Sequence, residues 1–509
     1  MPTEQDFNAT IQPWIEQGIP QAAFQTLRQT FLTYLKKQQE IAAQGVLGCI
    51  ACFHSPAELQ AFLHKASFYC TLQIPLRFQH NPVEANFFNF TGYFTLDTCL
   101  CEIIATMEAL PALPLADGQA SMVLASVIMN VSENLLYDQG QFPLSDDLQI
   151  LMSSRARSLR NFLEHVSYCG LSAYRLELTG SDPHIGGQQT LLLQTDNQSR
   201  LVFKPRNMTA EQLLFSSVGP IPSLFQRINY HLPPAYQLTL LPVYADASTW
   251  YGTEGFLQKL ASLTPQQAQD HYTKMGELLF LCTLFGCTDL HQDNLLPTAN
   301  GPMILDGECS FLLYKMQERS LNSSLIMQAV NFPSNPNIFG EPALSSFTIH
   351  GSFSQKQAQD AFWDGFSQLQ TLCQAPEVQE ELWEFFLQVL NQQPCIRILP
   401  FDTLELRGMV SSYYANPTAV LQYISDQIDE RTQSWDLFYD SVALSEALTQ
   451  GFQQGDIPIF QLLLDTNVSS TFLVNGIQVG HCNAYLDQDK IAREIFRPLI
   501  QISIANFTR

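Results

Sequence analysis

The sequence predicts an α+β fold of three consecutive regions: a helical amino-terminal region over 1–165, a mixed helix-and-strand core over 166–335 and a mostly helical carboxy-terminal region over 336–509. Three observations lead there. Apolar residues recur at helical spacing near the start, alternation of period two sets in near Tyr174, and helical periodicity returns after Lys356. With 509 residues the chain is long enough for two to four domains, each with a sizeable core.

Taken in order, Phe24, Leu27, Phe31 and Leu35 place one apolar stripe on a helix over Ala23 to Ile41, with Gly45 as its stop. Leu176 and Leu178 alternate with polar neighbours. Thr190 to Gln194 and Leu201 to Lys204 then read as further strands, separated by the turn-prone pair Asp196-Asn197. A helix is expected over Gln266 to Leu284, and a short apolar strand over Pro302 to Leu305 ends in Asp306. Lys356 to Leu390 is helical again, with Trp363, Phe366, Leu369, Trp383, Phe386 and Leu390 as core positions.

Composition excludes several classes. Hydrophobic residues make up 46% and charged ones 14%, the balance of a folded chain and not a disordered one. Acidic residues outnumber basic ones 48 to 25, and a net charge of −23 repels nucleic-acid backbones and anionic lipid surfaces. No apolar run approaches the roughly 20 residues that span a bilayer, so no transmembrane segment is expected. The start lacks a basic stretch followed by an apolar one, which predicts a cytoplasmic protein without a secretion signal. Cys49 and Cys52 find no second pair to complete a zinc set and read as buried free thiols.

The richest constellation is Thr288-Asp289-Leu290-His291-Gln292-Asp293-Asn294, followed 17 positions after Asp289 by Asp306 at the end of an apolar strand. Phosphoryl transfer needs an acid to orient the attacking hydroxyl and an Asn/Asp pair to hold magnesium on the phosphates. It also needs a cation on a strand. Lys204 closes Leu201-Val202-Phe203, and Glu211 on the following helix is available as its partner. The order Lys, Glu, Asp-x-His-x-x-Asn, Asp is therefore kinase-like. Upstream, Asp182-Pro183-His184-Ile185-Gly186-Gly187 offers paired glycines whose amides can approach an anion. Arg397 to Thr403 form a second cluster that, on its own, reads first as an ordinary strand and turn.

Together these residues resemble the dehydratase domain of the class II lanthipeptide synthetases, the LanM family. The resemblance rests on SDPHIGG at 181–187, LVFKPRNMTAE at 201–211, YGTEGF at 251–256, MGELLFLCTLFGCTDLHQDNLL at 275–296 and PMILDGE at 302–308. Asp364 to Phe366, Arg397 to Thr403 and Gly455 to Phe460 continue it in order.

That resemblance implies a two-lobed, lipid-kinase-like core, ATP and Mg2+ as cofactors, and a precursor peptide with a leader as substrate. A Ser or Thr hydroxyl is phosphorylated and the phosphate is then eliminated, leaving dehydroalanine or dehydrobutyrine. By position, Lys204 would contact the ATP phosphates, Asp289, His291 and Asn294 would form the catalytic loop, and Asn294 and Asp306 would hold magnesium. Asp182 and His184 match active-site positions, and Arg397 and Thr403 match residues of the elimination step. Expelling phosphate requires a cation on the leaving group, which suits Arg397.

The chain departs from that family at Phe401 and Leu406, which stand where an Arg and a Tyr are usual. It also ends where the dehydratase would end, so ring closure is expected to need a separate cyclase. Gly480-His481-Cys482 is read as a structural coincidence and not half of a zinc site. Two other readings accompany this one. The first is a kinase without elimination, acting on a protein or a lipid and secreted as an effector. The second is a non-catalytic module that holds a peptide.

Overall fold

The computed structural model describes residues 4–22 and 24 and then, apart from short stretches and residues 327–346, residues 173–501. The helix expected over 23–41 lies outside the described residues except for Phe24, which is fully buried. Cys49, Cys52, Asp182 and the Ile185–Gly187 glycine turn also lie outside them.

The chain is a mixture of helix and sheet and divides into two compact units that interleave along the sequence. One comprises Met1–Phe203, Phe401–Gln427 and Ser445–Pro458; the other comprises Lys204–Pro400, Ile428–Leu444 and Ile459–Arg509.

The first unit holds α1 (Glu4–Glu16) and the antiparallel run of β1 (Ala173–Leu178), β2 (Leu191–Thr195) and β3 (Arg200–Lys204), whose last residue begins the second unit. Leu176 faces Leu193, and Leu191 faces Phe203, so the expected alternation lays one buried apolar face across all three strands. The same unit contains the helix Thr403–Ala415, whose amino terminus is capped by Asp402 accepting from the Glu405 amide at 2.6 Å.

The second unit opens with the short helix α2 (Thr209–Phe215) and the hairpin of β4 (Val243–Asp246) and β5 (Tyr251–Gly255). Alternation along β5 turns Gly252 and Glu254 inward. The long helix α3 (Pro265–Leu284) begins where expected, with Thr264 and Gln267 capping each other and Pro265 at the first helical position. It leads through the loop 285–294 into the hairpin of β6 (Leu295–Thr298) and β7 (Gly301–Ile304).

The helical stretch after Lys356 is two helices, α4 (Gln355–Cys373) and α5 (Pro376–Asn391). Ala375 is extended because the ring of Pro376 disfavours helical geometry in the residue before it. Phe366, Leu369, Phe386 and Leu390 are buried as expected. Trp363 and Trp383 are half-buried; Trp363 meets Phe366 edge to face and Trp383 stacks on Phe386.

α3 and α4 lie so close that a Cβ on Gly276 would run into the Phe362 carbonyl, and one on Gly365 into the Thr273 carbonyl. Phe285 anchors the carboxy end of α3 in an aromatic cluster with Phe311, Phe385 and Phe496, at ring separations of 5.7–6.1 Å.

Five further strands, β8 (Cys395–Ile398), β9 (Leu437–Tyr439), β10 (Phe460–Leu463), β11 (Ser470–Val474) and β12 (Ile477–Cys482), form an antiparallel sheet in the order β8-β10-β11-β12-β9. The mostly helical character expected of 336–509 does not anticipate that sheet. His481 stacks on Phe438 and the Cys482 thiol donates to the Trp435 carbonyl, so both serve packing. Among the described residues the cysteines are buried free thiols, and no helix is long and apolar enough to cross a membrane.

Candidate functional site

The charged residues of the second unit converge from six stretches of chain. At the end of β3, Lys204 is buried at 5% exposure, with its Nζ 3.1 Å from Glu254 Oε1 and also donating to the Leu305 carbonyl. Burial raises the Glu254 carboxyl above its usual range, and Lys204 opposes that rise.

The expected pairing of Lys204 with Glu211 does not form. Glu211 sits in the first turn of α2, directly after the turn that carries Arg206, and the Arg206 fork takes it at 2.6 Å. Glu254 instead reaches Lys204 because strand alternation turns it inward. Glu211 is fully buried, and burial pushes its carboxyl up to about 7 against the pull of Arg206 and then Lys204.

Arg206 is the hub. Its Nη2 lies 2.6 Å from both Glu211 Oε1 and Asp306 Oδ1, and its Nη1 meets Glu308. Glu308 in turn accepts from Arg397 Nη1 at 2.7 Å, while the Arg397 amide donates to the Glu308 carbonyl at 3.0 Å. Burial alone would raise the Glu308 carboxyl. The two guanidinium groups overcome it and hold it well below the usual carboxylate range. Burial likewise would lower Arg397, but Glu308 holds it firmly charged. Gly307 separates the two acids, and a Cβ there would stand 3.1 Å from Phe215 and 3.3 Å from Glu211, so glycine lets this loop lie against α2.

The loop after α3 carries Asp289 at φ 63°, a left-handed conformation that costs a non-glycine residue about 1–2 kcal/mol. Surrounding bonds hold it there. The Thr288 amide donates to Cys309, the Leu290 amide to Ser324, and Asn294 Nδ2 to the Asp289 carbonyl at 2.8 Å. His291 Nε2 lies 3.3 Å from Asn294 Nδ2 and 3.9 Å from Asp289 Oδ1. Burial raises the Asp289 carboxyl, opposed chiefly by His291 and Arg397.

The Leu305 amide donates to the Asn294 carbonyl at 2.9 Å, which brings Asn294 beside Asp306. A carboxylate and an amide oxygen are hard donors of the kind magnesium takes when phosphate oxygens and water complete its shell. Among the described residues no group of three or more His, Cys, Asp or Glu side chains forms a closed metal cage.

Lys204, Glu211, Asp289, His291, Asn294, Asp306 and Arg397 thus belong to one unit, in which Arg206, Glu254 and Glu308 join them. Those three escape a search for isolated catalytic patterns. Their signal is a charge set inside or directly after an apolar strand, within KPR, YGTEG and LDGE. His184 and Thr403 belong to the first unit. His184 exchanges backbone bonds with Gln188 and places Nδ1 3.3 Å from the Ile457 carbonyl, joining two of the segments singled out in sequence. Thr403 is the half-buried first residue of its helix, and Phe401 and Leu406 beside it are buried.

A family model described as a domain of unknown function, DUF4135, matches residues 156–361, a span that includes every site residue named except Arg397 and Thr403. The chain is similar to the lacticin 481/lactococcin biosynthesis protein LcnDR2 of Lactococcus lactis subsp. lactis, at 24% identity over 173 residues. The match covers 32% of this chain and 18% of that protein's length.

Proposed function

We propose that this chain is a lanthipeptide-type dehydratase with a kinase-like core, which phosphorylates Ser and Thr of a leader-bearing precursor peptide with ATP and Mg2+ and then eliminates the phosphate. The observation that carries this reading is a charged cluster in which Lys204, Asp289, His291, Asn294, Asp306 and Arg397 come together within the second unit. Similarity to a lacticin 481/lactococcin biosynthesis protein supports the peptide substrate.

In this reading Lys204 neutralises nucleotide phosphates from the end of β3, held in place by Glu254. Asp289 orients the substrate hydroxyl and takes its proton as oxygen attacks the terminal phosphorus, whose bond to the bridging oxygen breaks with its electron pair leaving on ADP. Its raised carboxyl suits a group that must accept a proton. Asn294 and Asp306 would hold magnesium, which when bound draws the phosphates together and offsets their charge. In the second step a base removes the α-proton, the Cβ–O bond breaks with its electron pair leaving on phosphate, and a Cα=Cβ double bond forms. Arg397 is the cation for the departing phosphate.

A kinase that stops after phosphorylation is the second reading. It is favoured by Phe401 and Leu406, buried apolar side chains at positions where an Arg and a Tyr are expected for elimination. Co-expression with a Ser/Thr-rich peptide encoded beside the gene, followed by intact mass, separates the two. Loss of one water per modified residue is expected from the unaltered chain, no modification from Asp306→Ala, and phosphorylated peptide from Arg397→Ala. A stable phosphate adduct from the unaltered chain establishes the second reading, and unchanged dehydration by Arg397→Ala overturns the role given to Arg397.

A further inference from the structure

We infer that Arg206 is a resident cation which a divalent metal must displace from Asp306, so that the arginine competes with the metal instead of helping to bind it. The inference rests on the phosphoryl-transfer reading of this site. Its observations are geometric. Arg206 Nη2 lies 2.6 Å from Asp306 Oδ1, close enough to occupy a lone pair that a metal would need. The same nitrogen lies 2.6 Å from Glu211 Oε1, and Nη1 meets Glu308.

Arg206 is also ion-paired with Glu211 and Glu308, so it can release Asp306 and remain held by two buried acids. Asp306 is the outermost of the three carboxylates, at 35% side-chain exposure against 0% for Glu211 and 9% for Glu308. The two acids that would retain the arginine are therefore buried, and the one it must surrender is the one a metal can reach from solvent.

Charge leads the same way. Lys204 and Glu254 neutralise each other, leaving Arg206 and Arg397 against Glu211, Asp289, Asp306 and Glu308. When all are ionised the cluster carries two negative charges in surplus, which one divalent ion offsets. A metal on Asp306 sits about 2.1 Å from the carboxylate oxygen. With the guanidinium still on that oxygen, two cations would share it in a site with little water to screen them.

Titration of the full chain with Mn2+ alone, followed by calorimetry, tests this. Asp306→Asn should abolish binding and Arg206→Gln should tighten it by about tenfold or more. Arg206→Lys keeps the charge but loses the fork, so it guards against a variant that fails to fold; it too should bind Mn2+ more tightly than the unaltered chain. Binding that Asp306→Asn abolishes but that both Arg206 variants weaken or leave unchanged overturns the inference and leaves the phosphoryl-transfer reading standing. Absence of any Asp306-dependent Mn2+ site in all proteins overturns both.

A structure of the unaltered chain with Mn2+ gives an independent answer. Arg206 Nη2 should move beyond about 4 Å from Asp306 Oδ1, outside ion-pair distance. An arginine still bonded to the metal-bearing oxygen overturns the inference.

Discussion

Glu308→Ala probes the hub directly. In the unaltered chain Glu308 is 7% exposed and is shared by Arg397 Nη1 at 2.7 Å and by Arg206. Arg206 keeps Glu211 and Asp306 when Glu308 is removed. Arg397, at 12% side-chain exposure, loses the carboxylate that it pairs with among the described residues. Stranding one buried cation costs about 3–5 kcal/mol, a large share of the roughly 5–15 kcal/mol that holds a domain folded.

The pH dependence follows from the depressed Glu308 carboxyl. Its folded-state value lies below its ordinary one, so its stabilisation is present above the ordinary carboxylate range and is lost as pH falls below it. Urea denaturation should therefore show the full loss near pH 7 and a shrinking difference between variant and unaltered chain below about pH 4. Replacing Arg397 by Met in the Glu308→Ala background should recover much of the loss, because it removes the stranded charge. A loss under about 1 kcal/mol at pH 7, or a loss that does not change with pH, would refute the claim that a buried charge pair is being broken.

Two further outcomes follow from the helices beneath the site. Glu277 on α3 is fully buried, neither carboxyl oxygen has a hydrogen-bond partner among the described residues, and burial pushes it up to about 8 against the pull of Lys274. The folded state then holds a proton that the unfolded state gives up between about pH 4.5 and 8, so stability falls as pH rises through that window; Glu277→Gln should flatten the fall, and an equal shift in Tm at pH 5 and pH 8.5 would contradict this. Gly276→Ala should cost about 1–3 kcal/mol or more, read as a lowered Tm, since the new methyl group meets the Phe362 backbone and not a side chain that can turn away.

What the sequence determined by itself is what depends on neighbours a few positions apart. Alternation around Leu176, Leu191 and Phe203 is enough to lay out β1 to β3, and Thr264 with Gln267 is enough to start α3. The Asp289-to-Asn294 spacing could be read because its side chains act on backbone within the same loop. Partner choice could not be read. Arg206 meets Asp306 across 100 positions and Glu308 meets Arg397 across 89, and no local period records which of several acids a buried cation will face. Glu211 looked like the partner of Lys204 because it is near in sequence, yet Arg206 lies nearer to it in the fold, and the inward face of β5 supplies Glu254. The five-stranded sheet was partly hidden for the same reason: β8 and β9 reach β10 and β12 only across intervening helices, whereas β10, β11 and β12 follow one another, with Asn475-Gly476 turning β11 into β12. Only tertiary packing brings them together, because the free energy of burying a charge or pairing a strand edge is set by what the rest of the chain places beside it.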